Sequence, residues 1–193
     1  MKKIGIIGVG GIANVHIRQL LEVKDCEIAA ICDINPERLE IIGEKLKIPK
    51  ERRFAYYRDL IACKEVDAVE ICTPNYLHIP MAAAAAKAGK PFNLEKPLST
   101  CLGAAEPLVR QLKETPVANM MCFSYRFMPA VRYAKWIMEK GLIGDVVSVD
   151  VAYLKASAFM EGRRLDWRFV KEYAGMTFLG TADGKEAVLA ADN

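Results

Sequence analysis

The sequence predicts an α/β fold: a doubly wound parallel sheet followed by the opening part of an α+β domain with an antiparallel sheet. Three observations lead there. Strand-like and helix-like segments alternate through residues 1–122, a spacing that implies a parallel sheet covered on both faces. A glycine-rich turn, Gly8-Val9-Gly10-Gly11-Ile12-Ala13, stands between the first strand and the first helix. Beyond residue 122 the texture changes to one helix and one long alternating run.

Residues 3–7 are a short β-branched strand. The helix after the glycine turn has Ile12, Val15, Leu20 and Val23 among its apolar positions. Residues 27–32 are the second strand. Pro36 opens a helix at a tolerated early position, with Leu39, Ile42 and Leu46 on one side. Residues 53–56 are a weak third strand and 68–72 a clear fourth. Residues 79–88 are alanine-rich and helical, and Gly89 stops them. Residues 91–94 are the fifth strand, 102–113 a helix and 117–122 the sixth strand.

A second domain is expected over residues 123–193. It starts with a helix over 129–140, stopped by Gly141. Residues 146–154 then alternate, with Val147, Val149, Val151 and Tyr153 on one face. That is the period of a half-buried strand. One strand cannot form an independent sheet, so this domain reads as incomplete.

Composition narrows the function classes. Of 193 residues, 52% are hydrophobic and 26% charged, which suits a globular core and excludes a disordered tail. The net charge of +3 is too small for a nucleic-acid footprint. No apolar stretch is long enough for a membrane span. Met1-Lys2-Lys3 and the apolar run behind it resemble a secretory leader, but glycines at 5, 8, 10 and 11 make a strand running into a loop the better reading. The six cysteines form no Cys-x-x-Cys pair. They read as reduced thiols of a cytoplasmic protein rather than disulfides. With two histidines in the chain, no metal site is expected.

The glycine turn matches Gly-x-Gly-x-x-Gly/Ala. Gly8 permits the tight turn, Gly10 lets backbone approach a pyrophosphate, and the small Ala13 lets helix and strand pack closely. Gly11 and Ile12 complete the loop, and the helix N-terminus offers free amides to the phosphates. Asp33 follows Ala13 by 20 residues, at the end of the second strand. Its carboxylate is placed to accept hydrogen bonds from an adenosine ribose. Asp33 favours NAD over NADP, because a 2′-phosphate beside it meets like-charge repulsion. Arg38 would soften that repulsion and keeps NADP as the alternative cofactor.

Further motifs narrow the reading. Thr73-Pro74-Asn75-x-x-His78, Glu95-Lys96-Pro97 and Ser124-Tyr125-Arg126-Phe127-Met128-Pro129, taken with the glycine turn, resemble the Gfo/Idh/MocA oxidoreductase family over residues 1 to about 180. The resemblance implies a nicotinamide dinucleotide in the first domain and a second domain that shapes a sugar or polyol site and mediates homo-oligomers. It implies that Thr73, Pro74, Asn75, His78, Glu95 and Pro97 line the cofactor, with Pro97 at a position where the family uses a cis proline. It implies that Lys96 sits beside the nicotinamide and the substrate oxygen. A lysine after a buried strand suits a proton donor to a developing alkoxide, and burial would lower its pKa. Arg126, Trp167 and Arg168 resemble residues near the nicotinamide and the sugar.

The pattern also departs from the family. Anchored on Leu179-Gly180, Thr181 stands where the family carries its catalytic Asp, and Lys185 where it carries its His. The chain ends at Asn193 where the family continues, so a truncated or divergent member is expected. The reading is therefore an NAD(P)-dependent sugar or polyol oxidoreductase. The alternative is a noncatalytic dinucleotide-binding protein or inactive fragment of such an enzyme.

Overall fold

A computed structural model describes residues 1–152 and 170–174. Six parallel strands form one sheet: β1 Lys2–Ile7, β2 Cys26–Cys32, β3 Arg53–Phe54, β4 Ala68–Ile71, β5 Phe92–Leu94 and β6 Asn119–Met121. Their order is β3-β2-β1-β4-β5-β6. The order reverses between β1 and β4, and such a switch point leaves a crevice at the carboxyl ends of the strands. The helices are α1 Ala13–Leu20, α2 Pro36–Lys45, α3 Tyr57–Ala62, α4 His78–Lys87, α5 Leu102–Glu114, α6 Pro129–Glu139 and α7 Lys171–Ala174.

Strand alternation splits the core into two layers. Ile6 and Ile31 join Val9, Ala13, Ile17 and Ile42 on one side of the sheet. Ile7, Ala30 and Cys32 join Leu60, Val69, Ile71, Leu94 and Leu108 on the other. Burying each such branched aliphatic side chain contributes about 1.5–3 kcal/mol. Ala82, Ala85 and Ala86 of α4 are fully buried, and their small size lets that helix lie close on β4 and β5. Gly89 ends α4 at a φ of +69°, and Gly141 follows α6 at +65°.

The structure differs from the sequence expectation in four places. Helix α1 stops at Leu20 and buries Ala13 and Ile17, while Ile12, Val15 and Val23 are exposed. The third strand shrinks to two residues at the sheet edge. A short helix not foreseen, α3, buries Leu60 and Ile61 ahead of β4. Residues 146–152 form no strand, and Val147 is 96% exposed. Strand structure exists only where a neighbour completes the hydrogen bonds, and alternation encodes faces rather than a partner.

The described residues divide into two units. One holds 1–122 together with 170–174, and the other holds 123–152. In the second unit, Ser124–Phe127 makes a 3-10 turn ahead of α6, on which the Tyr133 and Trp136 rings stack 5.7 Å apart. Among the described residues, no helix is long and apolar enough to cross a membrane.

Candidate functional site: a cofactor crevice at the strand ends

The glycine turn joins the end of β1 to α1 at the switch point. Gly8 has a φ of +86°, and its amide donates to the Cys32 carbonyl at 2.7 Å. A Cβ there would lie 2.8 Å from the Cys72 carbonyl oxygen and 2.9 Å from the Thr73 methyl. Protein packing therefore demands Gly8. Gly10 and Gly11 differ. A Cβ at Gly10 would meet only Arg38 Nη1, at 3.9 Å, and one at Gly11 would meet nothing within 4 Å. Among the described residues no protein contact requires those two glycines, while open backbone is what a closely approaching pyrophosphate requires. The first turn of α1 has no side-chain cap and no acidic residue. Its amides and dipole thus favour an anion. These residues fit a dinucleotide.

Asp33 follows β2 and is buried. Its Oδ2 accepts from the Val9 amide at 2.9 Å and its Oδ1 from the Asn35 amide at 2.8 Å. Each oxygen keeps a second acceptor direction. The carboxylate thus braces the glycine loop while it can still receive a ribose hydroxyl. Arg38 lies in the first turn of α2, where its amide donates to the capping Asn35 Oδ1 at 3.0 Å.

After β4, Thr73 and Pro74 lead into a 3-10 turn, Asn75–Leu77, and then α4. The Thr73 hydroxyl points at Met81 Sδ, 3.4 Å away. Asn75 is buried, and its Nδ2 donates to the Ala174 carbonyl of α7 at 2.9 Å. The rings of Tyr76 and Tyr173 lie 5.0 Å apart in the same contact. His78 is 0% exposed. Its Nδ1 is 2.6 Å from the Pro97 carbonyl and its Nε2 2.9 Å from the Thr73 carbonyl. Burial pulls its pKa below the ordinary imidazole value, against those two carbonyls. A neutral ring donates to one carbonyl at a time. His78 is therefore a clasp between the β4 and β5 loops, sealed from the crevice it shapes.

Lys96 follows β5 and is exposed. Its amide donates to Glu95 Oε2 at 3.0 Å, and the Lys96–Pro97 peptide bond is cis. Glu95 is buried, and its Oε1 meets His16 Nε2 at 2.9 Å. On the other side of the ring, Nδ1 meets Glu70 Oε1 at 2.5 Å. Hydrogen bonds toward Cys122 and Cys72, and then those to the two carboxylates, hold the His16 pKa far above its ordinary value. Burial works to raise the Glu95 pKa, but His16, Cys122 and the Lys96 amide together outweigh it and the net shift is downward. Burial pushes the Cys32 thiol up to about 12 and raises that of Cys72, as expected of inert core thiols.

The strand ends thus gather Gly8, Gly10, Gly11, Ile12, Ala13, Asp33, Arg38, Thr73, Pro74, Asn75, His78, Glu95, Lys96 and Pro97 in one unit. Arg126 is exposed on the 3-10 turn of the other unit. Trp167, Arg168, Thr181 and Lys185 lie outside the described residues. The sequence reading missed His16, Glu70, Cys72 and Cys122 as a group. One signal was present: Glu70 is a lone carboxylate inside the apolar run Ala68–Ile71, and a buried charge requires a partner.

Comparison with known proteins agrees with this geometry. Residues 2–123 match the Gfo/Idh/MocA family, described as an oxidoreductase family with an NAD-binding Rossmann fold. Levoglucosan dehydrogenase of Pseudarthrobacter phenanthrenivorans is 35% identical over 156 residues, covering 78% of this chain and 38% of that protein. Myo-inositol 2-dehydrogenase of Thermotoga maritima is 33% identical over 142 residues, covering 74% of this chain and 42% of that protein. A crystal structure of scyllo-inositol dehydrogenase from Lactobacillus casei, with bound NAD(H) and scyllo-inositol, superposes with a TM-score of 0.71 at 26% identity. That match covers 75% of this chain and 43% of the other. The chain thus spans less than half the length of these relatives. On the matched residues 2–123 and the parallel sheet that they build, the chain belongs to the Gfo/Idh/MocA oxidoreductase family.

Proposed function

We propose that this chain binds NAD(H) across the ends of β1, β2, β4 and β5 and serves hydride transfer with a carbinol or carbonyl carbon of a sugar or polyol. The observation that carries the reading is the glycine loop: Gly10 and Gly11 stand open, the helix behind them is uncapped, and Asp33 is bonded into the loop. A bound nicotinamide would supply or accept the hydride. The chain's own residues would do the rest. The α1 amides would hold the pyrophosphate. Asp33 would accept from the ribose and disfavour a 2′-phosphate, with Arg38 as the residue that would admit NADP. Lys96, exposed at the end of β5, would exchange the hydroxyl proton at Nζ. The relatives named for levoglucosan and myo-inositol support a sugar or polyol as substrate.

Two finer readings accompany this one. All six cysteines are free, which supports a reducing, cytoplasmic setting. Val147, Val149, Val151, Leu142 and Ile143 are exposed, which supports coverage by a second copy of the chain. Sedimentation would show a dimer or larger assembly, and a strict monomer would remove that second reading.

The test of function has two stages. NADH fluorescence titration should show saturable binding. NAD⁺ reduction with inositol, glucose, xylose and anhydro-sugars should then be lost in Lys96→Ala while binding persists. Folded protein that binds no cofactor would overturn the reading.

A further inference from the structure

Five side chains converge beneath α1: His16 from the helix, Glu70 and Cys72 from the end of β4, Glu95 after β5 and Cys122 after β6. We propose that His16, Glu95 and Cys122 form a binding site for a zinc-like divalent transition-metal cation, with Glu70 as the carboxylate that orients the imidazole.

The chemistry of the donors selects the ion. One imidazole nitrogen, one carboxylate oxygen and one thiol sulfur suit zinc-type cations, whereas calcium and magnesium take oxygen sets. The three donor atoms all lie within 4.8 Å of one another. Bonds of about 2.0–2.3 Å to a shared tetrahedral ion put donors about 3.3–3.8 Å apart. Closing the widest separation by about 1–1.5 Å reaches that arrangement.

The surroundings match what such a site needs. A ligating imidazole ordinarily donates its other N–H to a carboxylate, which is itself held by a hydrogen bond. Here His16 Nδ1 would donate to Glu70 Oε1 at 2.5 Å, and that oxygen also accepts from Asn93 Nδ2 at 2.7 Å. A bound cation would take the place of the Nε2 proton, leaving that nitrogen's lone pair toward Glu95 and Cys122. Two carboxylates face one imidazole, a donor arrangement that a cation would complete. The Cys122 side offers an approach, because His16 and Cys122 are partly exposed while Cys72 is buried. On binding, the Cys122 thiol and the imidazole Nε2 give up their protons to solvent. The ion would join the glycine-loop helix to the ends of β5 and β6.

The experiment uses the full chain, reduced and freed of metal by chelation. Titration calorimetry with Zn²⁺ should show one site, and Co²⁺ should give a thiolate charge-transfer band. Glu70→Gln should weaken Zn²⁺ about 10- to 100-fold, as loss of an orienting carboxylate does. Cys122→Ser should abolish the Co²⁺ band, and Cys101→Ser, an exposed thiol elsewhere, should leave it. Where Cys122→Ser fails to fold, the wild-type chain suffices: saturating Zn²⁺ should slow alkylation of Cys122 at least about tenfold, the lower end of that range, and leave Cys101 unprotected. No uptake by folded protein, a band that survives Cys122→Ser, or unprotected Cys122 would each overturn the proposal.

Discussion

The Val9 amide donates to Asp33 Oδ2 across 2.9 Å, joining the glycine loop to the end of the neighbouring strand. The same carboxylate holds Asn35 through its other oxygen. One side chain therefore fixes the shape of the loop and, in the proposed function, would present the acceptor for a ribose. Asp33→Ala removes two charge-assisted hydrogen bonds, each worth about 1.5–3 kcal/mol. Urea unfolding should register that loss in stability. The preference for NADH over NADPH should narrow in parallel titrations. An unchanged preference would mean that Asp33 does not reach the ribose.

Gly8 and Gly10 separate folding from binding. Gly8→Ala forces a side chain onto a φ of +86° and against the Cys72 carbonyl, so it should cost about 1–3 kcal/mol or more. Gly10→Ala meets only Arg38 Nη1 at van der Waals distance, so stability should stay within about 1 kcal/mol. Its Cβ stands where the pyrophosphate would lie, and NADH binding should weaken at least about tenfold, a loss of 1.4 kcal/mol. Denaturant midpoints and NADH titrations on the two variants check both halves.

The legible parts of the molecule were those written in local chemistry. Gly8, Gly10, Ala13 and Asp33 stand at spacings that a turn, a close approach and a strand end dictate. The strands on either side are short β-branched runs. Longer-range relations were not legible. His16 meets partners 54 and 79 residues away, and only the strand order brings them together. Helix α3 is six residues long, too short for an apolar periodicity to declare itself. His78 carried the right motif, but its burial between two carbonyls depends on the path of the β5 loop.

His78 gives the fold a pH dependence. Its folded pKa lies below the ordinary 6.5. As pH falls through that value, the unfolded chain takes up a proton that folded His78 declines. The His78 contribution to stability therefore falls with decreasing pH below about 6.5, by up to 1.36 kcal/mol per pH unit, until the folded pKa is reached, while His16, with its raised folded pKa, contributes an opposite slope that fades below the same value. His78→Gln should remove the His78 part, so that between pH 7 and 5 the variant loses less stability, or gains more, than wild type as pH falls in denaturant titrations. Identical slopes would show that His78 titrates alike in both states.

Lys96 projects into solvent after β5, so its removal should spare the fold. Lys96→Ala should leave the denaturant midpoint within about 0.5 kcal/mol of wild type. Turnover should fall about 10²–10⁴-fold, the range of general acid–base help. Steady-state kinetics with the most active sugar or polyol would show the loss in kcat. A variant with unchanged kcat would remove Lys96 from the proton path.

The central claim is that the glycine loop and Asp33 make a dinucleotide site. The most direct measurement is an NADH fluorescence titration of the purified chain beside Gly10→Ala, with both shown to be folded by circular dichroism. The account predicts saturable one-to-one binding by the wild-type chain and binding at least about tenfold weaker for Gly10→Ala. Folded wild-type protein that fails to bind at millimolar NADH, or equal binding by the two proteins, would contradict it.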